Sequence, residues 1–165
     1  MPVNDLLNDL LPDPNKPGGH DYTFFLWPRQ WTNYNLSGPF NWEIHPFEQN
    51  EADEIPIEPG IYSFIIQPGI ADHPHCSYLM YLGMTKRPLR ERFKEYFREK
   101  RDVERGRPKI LKLLHVYQDY LHFCCSAIAE TEHIKDIEDE LLKAFIPPCN
   151  DEYPAEISRA IKAFS

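Results

Sequence analysis

Two short apolar runs, Gly60 to Gln67 (GIYSFIIQ) and Tyr78 to Gly83 (YLMYLG), flank a loop rich in Pro, Gly and His. Both are apolar and aromatic, and with the loop between them they read as the strands of an antiparallel hairpin. Pro88 opens a helix behind them. Leu89, Phe93 and Phe97 recur at i, i+4 and i+8 to give one apolar stripe, while Arg92 and Tyr96, four apart, share another face. The pattern continues with an amphipathic helix at Ile110 to Leu121 and a third strand at Leu121 to Ala129, where Cys124 and Cys125 are expected to be buried. A helix follows from Ile134 to Phe145, stopped by Pro147-Pro148. Ala155 to Phe164 reads as a terminal helix. The order β-β-α-α-β-α predicts an α/β (α+β) fold: a small, mainly antiparallel three-stranded sheet flanked by helices.

At 165 residues the chain is long enough for one domain with its own core, plus an appendage. Residues 1–19 hold a short helical pattern (Val3 to Leu11) followed by the Pro- and Gly-rich Pro12 to Gly19, a flexible link. Residues 20–58 form an aromatic-rich extension, from Tyr22 to Phe47, whose rings are expected in short strands and turns packing on the core formed by residues 59–165. Cys76, Cys124, Cys125 and Cys149 include no CxxC pair, so free thiols are expected. With no run near the roughly 18 to 20 apolar residues of a membrane helix and no basic leader, a cytoplasmic location is expected.

The net charge of −8 argues against a protein that coats nucleic acid by bulk electrostatics, yet the charge is unevenly placed. Between Met84 and Lys112, twelve basic residues face five acidic ones, so that segment carries +7 and the remainder −15. Lys86, Arg87, Arg90, Lys94, Arg98, Lys100 and Arg101 within it are candidate nucleic-acid contacts.

Several of these features occur together in one known family. Gly60-Ile61-Tyr62 is a literal GIY, Tyr81-Leu82-Gly83 stands for YIG, Arg92 follows nine residues after Gly83, and Glu138 lies twelve residues before Asn150. In this order Pro59 to Asn150 resembles the GIY-YIG nuclease superfamily, which implies a DNA endonuclease dependent on Mg2+ or Mn2+. On that resemblance Glu138 is the metal ligand, its spacing to Asn150 favouring it over Asp139 and Glu140, and Arg92 steadies the scissile phosphate with its planar charged fork. Tyr62 and Tyr81 lie near the attacking water, one as general base or as its orienter; a tyrosine with an ordinary pKa of about 10 needs cationic neighbours to serve as base. Tyr96 is a further candidate hydrogen-bond donor to phosphate or water, and Asn150 organises the site.

The sequence departs from the pattern in the long loop Pro68 to Ser77 and in Met84 after the YLG, where Lys86 or Arg87 stands in for a basic residue. His73, His75 and Cys76 within that loop lack a fourth ligand at a zinc-like spacing. Because the rest of the chain is acidic, a protein partner or a second copy is expected to supply part of the DNA affinity. An inactive nucleic-acid-binding or structural subunit derived from such a nuclease is the alternative.

Overall fold

The computed structural model describes residues 3–36, 40–73 and 75–164; Pro74, in the hairpin loop, lies outside them. The elements in chain order are α1 (Val3–Leu10), α2 (Pro28–Asn33), β1 (Glu43–Pro46), β2 (Gly60–Ile66), β3 (Tyr78–Thr85), α3 (Leu89–Arg101), α4 (Pro108–Val116), β4 (Leu121–Ala127), α5 (Ile134–Phe145) and α6 (Ala155–Phe164). The strands form one antiparallel sheet in the order β1-β4-β2-β3. Four strands stand where three are expected, because Glu43 to Pro46 of the aromatic-rich extension pairs with β4. Short strands are expected in that extension, but nothing in four residues ending in Pro signals that one of them joins the main sheet. Pro28 to Asn33 is likewise a helix where strands and turns are expected, with Pro at its first position, which a helix tolerates.

The period-2 alternation of β2 separates two cores. Tyr62, Phe64 and Ile66 point to the side of α3 and α4, where they pack with Phe93, Tyr96, Phe123 and Phe47. Ile61 and, across the ladder, Leu82 point the other way and meet Ile134, Leu141 and Leu142 of α5. The packing Phe93 supplies is complete burial, so the apolar stripe of α3 behaves as its spacing predicts. Cys124, Cys125 and Cys149 are free and buried, and burial pushes their thiols up to about 11, 12 and 11.

Two backbone devices fix α3 and α5 against the sheet. The first amides of α3 have no side-chain cap; Leu89 N–H and Arg90 N–H donate instead to the carbonyls of Glu58 and Pro56, each at 2.9 Å. Arg90 strengthens this join, its Nε and Nη2 donating to the carbonyls of Ile55 and Asp53. At the other end, α5 terminates at Ile146, which adopts a left-handed conformation (φ 45°, ψ 60°) although it is β-branched, and Pro147 then prevents continuation. This reversal carries the chain back along the outer edge of β3. Cys149 N–H donates to the Met80 carbonyl at 2.8 Å, and the Asn150 side chain pairs with the Leu82 main chain on both sides, Nδ2 to O at 2.8 Å and Oδ1 from N–H at 3.0 Å.

A side-chain amide thereby completes the β-ladder where no neighbouring strand exists. Replacing buried Asn150 with Ala leaves both Leu82 groups without partners; Asn150→Ala is expected to lower unfolding stability by about 2 kcal/mol, measured by urea denaturation.

Candidate active site

The antiparallel register places Tyr62 opposite Gly83 and Phe64 opposite Tyr81, so both motif tyrosines emerge on the α3 side of adjacent strands, with ring centroids 6.3 Å apart. Gly83 is required by this arrangement. A Cβ there would stand 2.8 Å from Tyr62 Oη and 2.9 Å from its Cζ, because the phenol lies across the glycine. The hydroxyl itself cannot swing away. Arg92 Nε donates to it at 2.9 Å, and it shares a 3.0 Å hydrogen bond with Tyr96 Oη, which in turn accepts from Arg92 Nη2 at 3.2 Å.

Arg92 is thus held on three sides, its Nη1 donating to Glu95 at 2.8 Å while its plane lies 4.6 Å from the Tyr96 ring centroid. The i, i+4 spacing of Arg92 and Tyr96 brings both to Tyr62, as the sequence predicts. Tyr62 and Tyr96 are buried to 1% and 0% exposure. Burial pushes the Tyr62 hydroxyl up to about 12, nearby Tyr81 adds to the rise and Arg92 opposes it; burial likewise raises Tyr96 well above the ordinary range.

Glu138 and Asn150 lie at a different cleft from this node. A polar cleft of about 330 Å³ is lined by Tyr81, Arg107, Lys135, Glu138 and Asn150, with Asp151 and Glu152 at its margin. Tyr81 therefore faces Glu138, whereas Tyr62 and Arg92 stand behind it and do not line the cleft. Arg107 is the cationic group there. Its Nε and Nη2 donate to the two oxygens of Glu99 at 2.9 and 3.0 Å, and its Nη1 reaches Tyr81 Oη at 3.2 Å. Against the upward push of burial, Arg107 holds the Glu99 carboxyl below its ordinary range.

Arg107 is one of twelve cations in the basic segment and has no distinguishing sequence spacing. It precedes Pro108, which starts α4, but its contact with Tyr81 comes from the fold and has no local sequence signal.

Glu138 has a side chain only 13% exposed, and its Oε2 accepts from Lys135 Nζ at 2.8 Å; the same ammonium reaches Asp139 at 2.9 Å. Among the described residues no group of three His, Cys, Asp or Glu is gathered tightly enough to hold a metal, His73, His75 and Cys76 included. The cleft nonetheless offers oxygen donors alone. One half-buried carboxylate, with room for water, fits a hard divalent cation that keeps most of its hydration shell. The Asn150 side chain, committed to Leu82, is scaffold.

The expected nucleic-acid contacts separate into two groups. Lys86, Lys94, Arg98 and Arg101 are exposed on or beside α3. Arg87 is also exposed but forms a paired contact with Glu95 at 2.6 and 3.1 Å; Arg90 is fastened to main-chain carbonyls, and Lys100 donates to Gln118 while burial lowers its pKa.

Among solved structures, the chain is similar to the crystal structure of the GIY-YIG N-terminal endonuclease domain of UvrC from Thermotoga maritima bound to its catalytic divalent cation, magnesium. The identity is 20% and the TM-score 0.43, over 62% of this chain and 93% of that one. A point mutant of the same domain with its catalytic divalent cation matches at 17% identity and TM-score 0.41, over 64% of this chain and 99% of that one. Both are GIY-YIG domains. No protein-family model and no curated protein matches the chain.

Because the Tyr62 phenol is fixed at its hydroxyl, a methyl group on residue 83 has nowhere to displace it. Gly83→Ala is expected to destabilise by about 2 kcal/mol, read as a lowered urea midpoint at unchanged slope.

Proposed function

We propose that the chain is a divalent-metal-dependent endonuclease that hydrolyses phosphodiester bonds of DNA, with its reaction centre in the cleft between Tyr81, Arg107 and Glu138. The observation that carries the reading is the meeting, in one polar cleft, of a half-buried carboxylate, a guanidinium and a phenol from three separate elements. Phosphodiester hydrolysis needs this set: a cation site, a donor for the charge that grows on the non-bridging oxygens, and a group that orients or deprotonates water.

Glu138 would hold Mg2+ or Mn2+, and the bound cation would supply charge neutralisation and Lewis-acid activation of water. Arg107 donates to a non-bridging phosphate oxygen with the face not engaged by Glu99. Tyr81 orients the attacking water with the hydroxyl that Arg107 Nη1 reaches at 3.2 Å. Tyr62, with its pKa up to about 12, stays neutral at physiological pH and serves as a positioning residue: it locks Arg92 and Tyr96 behind Tyr81. Arg92 contributes its positive field from the second row.

A binding module without turnover is favoured by one feature, the ion pairs of Lys135 with Glu138 and Asp139, which neutralise the carboxylate that a cation needs. Plasmid cleavage separates the two readings. With Mg2+ or Mn2+ the wild type is expected to nick DNA. Glu138→Gln and Arg107→Ala are expected to lose about 10²- to 10³-fold in kcat with folding intact by circular dichroism. Equal rates in all three proteins, or retained DNA binding with no cleavage in the wild type, would reject the endonuclease reading.

The exposed cations of α3 share their surroundings with Glu91, Glu95 and Glu99, and the chain outside residues 84–112 carries −15. Part of the DNA grip therefore comes from a protein partner or a second copy. The isolated monomer is expected to bind duplex DNA weakly and with a shallow salt dependence in anisotropy titrations; tight binding by a monomer sized by light scattering would contradict this.

A further inference from the structure

Three cavities beside α4 share lining residues in series. The first is the Tyr81, Arg107 and Glu138 cleft; it shares Asn150 and Asp151 with a trough of about 490 Å³ lined by Lys109, Lys112 and Lys162. That trough shares Tyr22 with a third cavity, about 420 Å³, lined by Phe24, Tyr78, Tyr117 and Tyr120. Arg107 stands just before α4 at the cleft, Lys109 and Lys112 lie one turn apart at the trough, and Tyr117 follows the last residue of α4 at the aromatic end. Ten helical residues cover about 15 Å, the scale of a few nucleotides.

We propose that this path leads a single-stranded DNA segment away from the cleavage cleft and that the aromatic cavity stacks one of its unpaired bases. The proposal rests on the endonuclease reading and names the substrate class that reading leaves open: DNA with an unpaired strand beside the cut.

The rings of the third cavity differ from the core aromatics. Phe24, Tyr78 and Tyr120 are 41%, 47% and 48% exposed, and Phe24 and Tyr78 lie 6.2 Å apart at an interplanar angle of 38°. Aromatic rings this exposed can stack an unpaired base, a contact the already stacked bases of a duplex do not offer. Tyr22, at the junction with the trough, packs its ring against Tyr117 with centroids 6.2 Å apart, and the Tyr117 hydroxyl lies 3.1 Å from His20 Nδ1.

Charge guides the strand but does not hold it alone. Asp21 and Asp151 line the trough with the three lysines; Lys109 is shared between Asp151 at 3.1 Å and the Asn150 carbonyl at 3.2 Å, while Lys112 donates to the Gly19 carbonyl and lies 4.4 Å from the Tyr22 ring centroid. Affinity in the subsite therefore comes mainly from stacking, about 1 to 3 kcal/mol per base.

The test is fluorescence anisotropy in EDTA with a short labelled oligothymidylate and a blunt duplex of equal length, with Mg2+-dependent cleavage followed in parallel. Wild type is expected to prefer the single strand. Tyr78→Ala, at an exposed position, is expected to weaken that binding about 5- to 150-fold without lowering the melting temperature, and Tyr78→Phe to restore it. Lys162→Ala is expected to weaken it less and to flatten its salt dependence. Equal single-strand affinity in wild type and Tyr78→Ala, or a wild-type preference for duplex, overturns the subsite; if Mg2+-dependent cleavage persists in that case, the endonuclease reading survives it. Strand binding lost in Tyr78→Ala with no cleavage by any protein supports the subsite and overturns the endonuclease reading.

Discussion

The hydroxyl of Tyr62 is the point at which sheet and helix are tied together. It accepts from Arg92 Nε and bonds Tyr96 Oη with almost no solvent access, so β2 and α3 hold one another in a single relative position. Buried hydrogen bonds to a charged group contribute more than neutral ones, and breaking one strands the partner in a medium that cannot replace it. Everything in front of the node inherits its placement: Tyr81 packs beside Tyr62, Arg107 reaches Tyr81, and Glu99, one turn beyond Glu95 on α3, orients Arg107.

The two arginines divide what would otherwise be conflicting demands. A guanidinium that organises a core must have its donors satisfied, as those of Arg92 are by Tyr62, Tyr96 and Glu95. One that meets a ligand must keep a face free. Arg107 satisfies Nε and one Nη through Glu99 and turns its remaining side toward the cleft. Carboxylates on α3 back both cations, so Glu95 and Glu99 serve the structure, and the arginines they engage make the segment's formal +7 overstate the charge available to a ligand.

Much of this was legible before the fold was known. The hairpin, the stripe of α3, the meeting of Arg92 with Tyr96 through their four-residue spacing, and the Ile134 to Phe145 helix all follow from short-range periodicity. What was illegible depended on long-range pairing. β1 is four residues with a terminal proline and becomes a strand only because β4 offers an edge, while the choice between Tyr62 and Tyr81 turns on burial that no spacing encodes. Arg107 was hidden among equivalent cations; nothing in its own neighbourhood names Tyr81 as its partner, twenty-six residues away. Glu138 stood out through its distance to Asn150, yet its neutralising contact with Lys135 belongs to ordinary helix pairing and carries no sequence mark of a site.

The Asn150 clamp has an effect beyond the cleft. Exposed strand margins are templates on which other chains can add, and aggregation begins there. By occupying the Leu82 amide and carbonyl, and with Cys149 on Met80, the segment after α5 blunts one side of the sheet with main-chain and amide groups instead of a further strand. The opposite side is left to β1, short and closed by Pro46, where a ring without an N–H interrupts recruitment. The same turn that delivers Asn150 to the cleft thereby also occupies the part of the β3 edge on which another chain would pair.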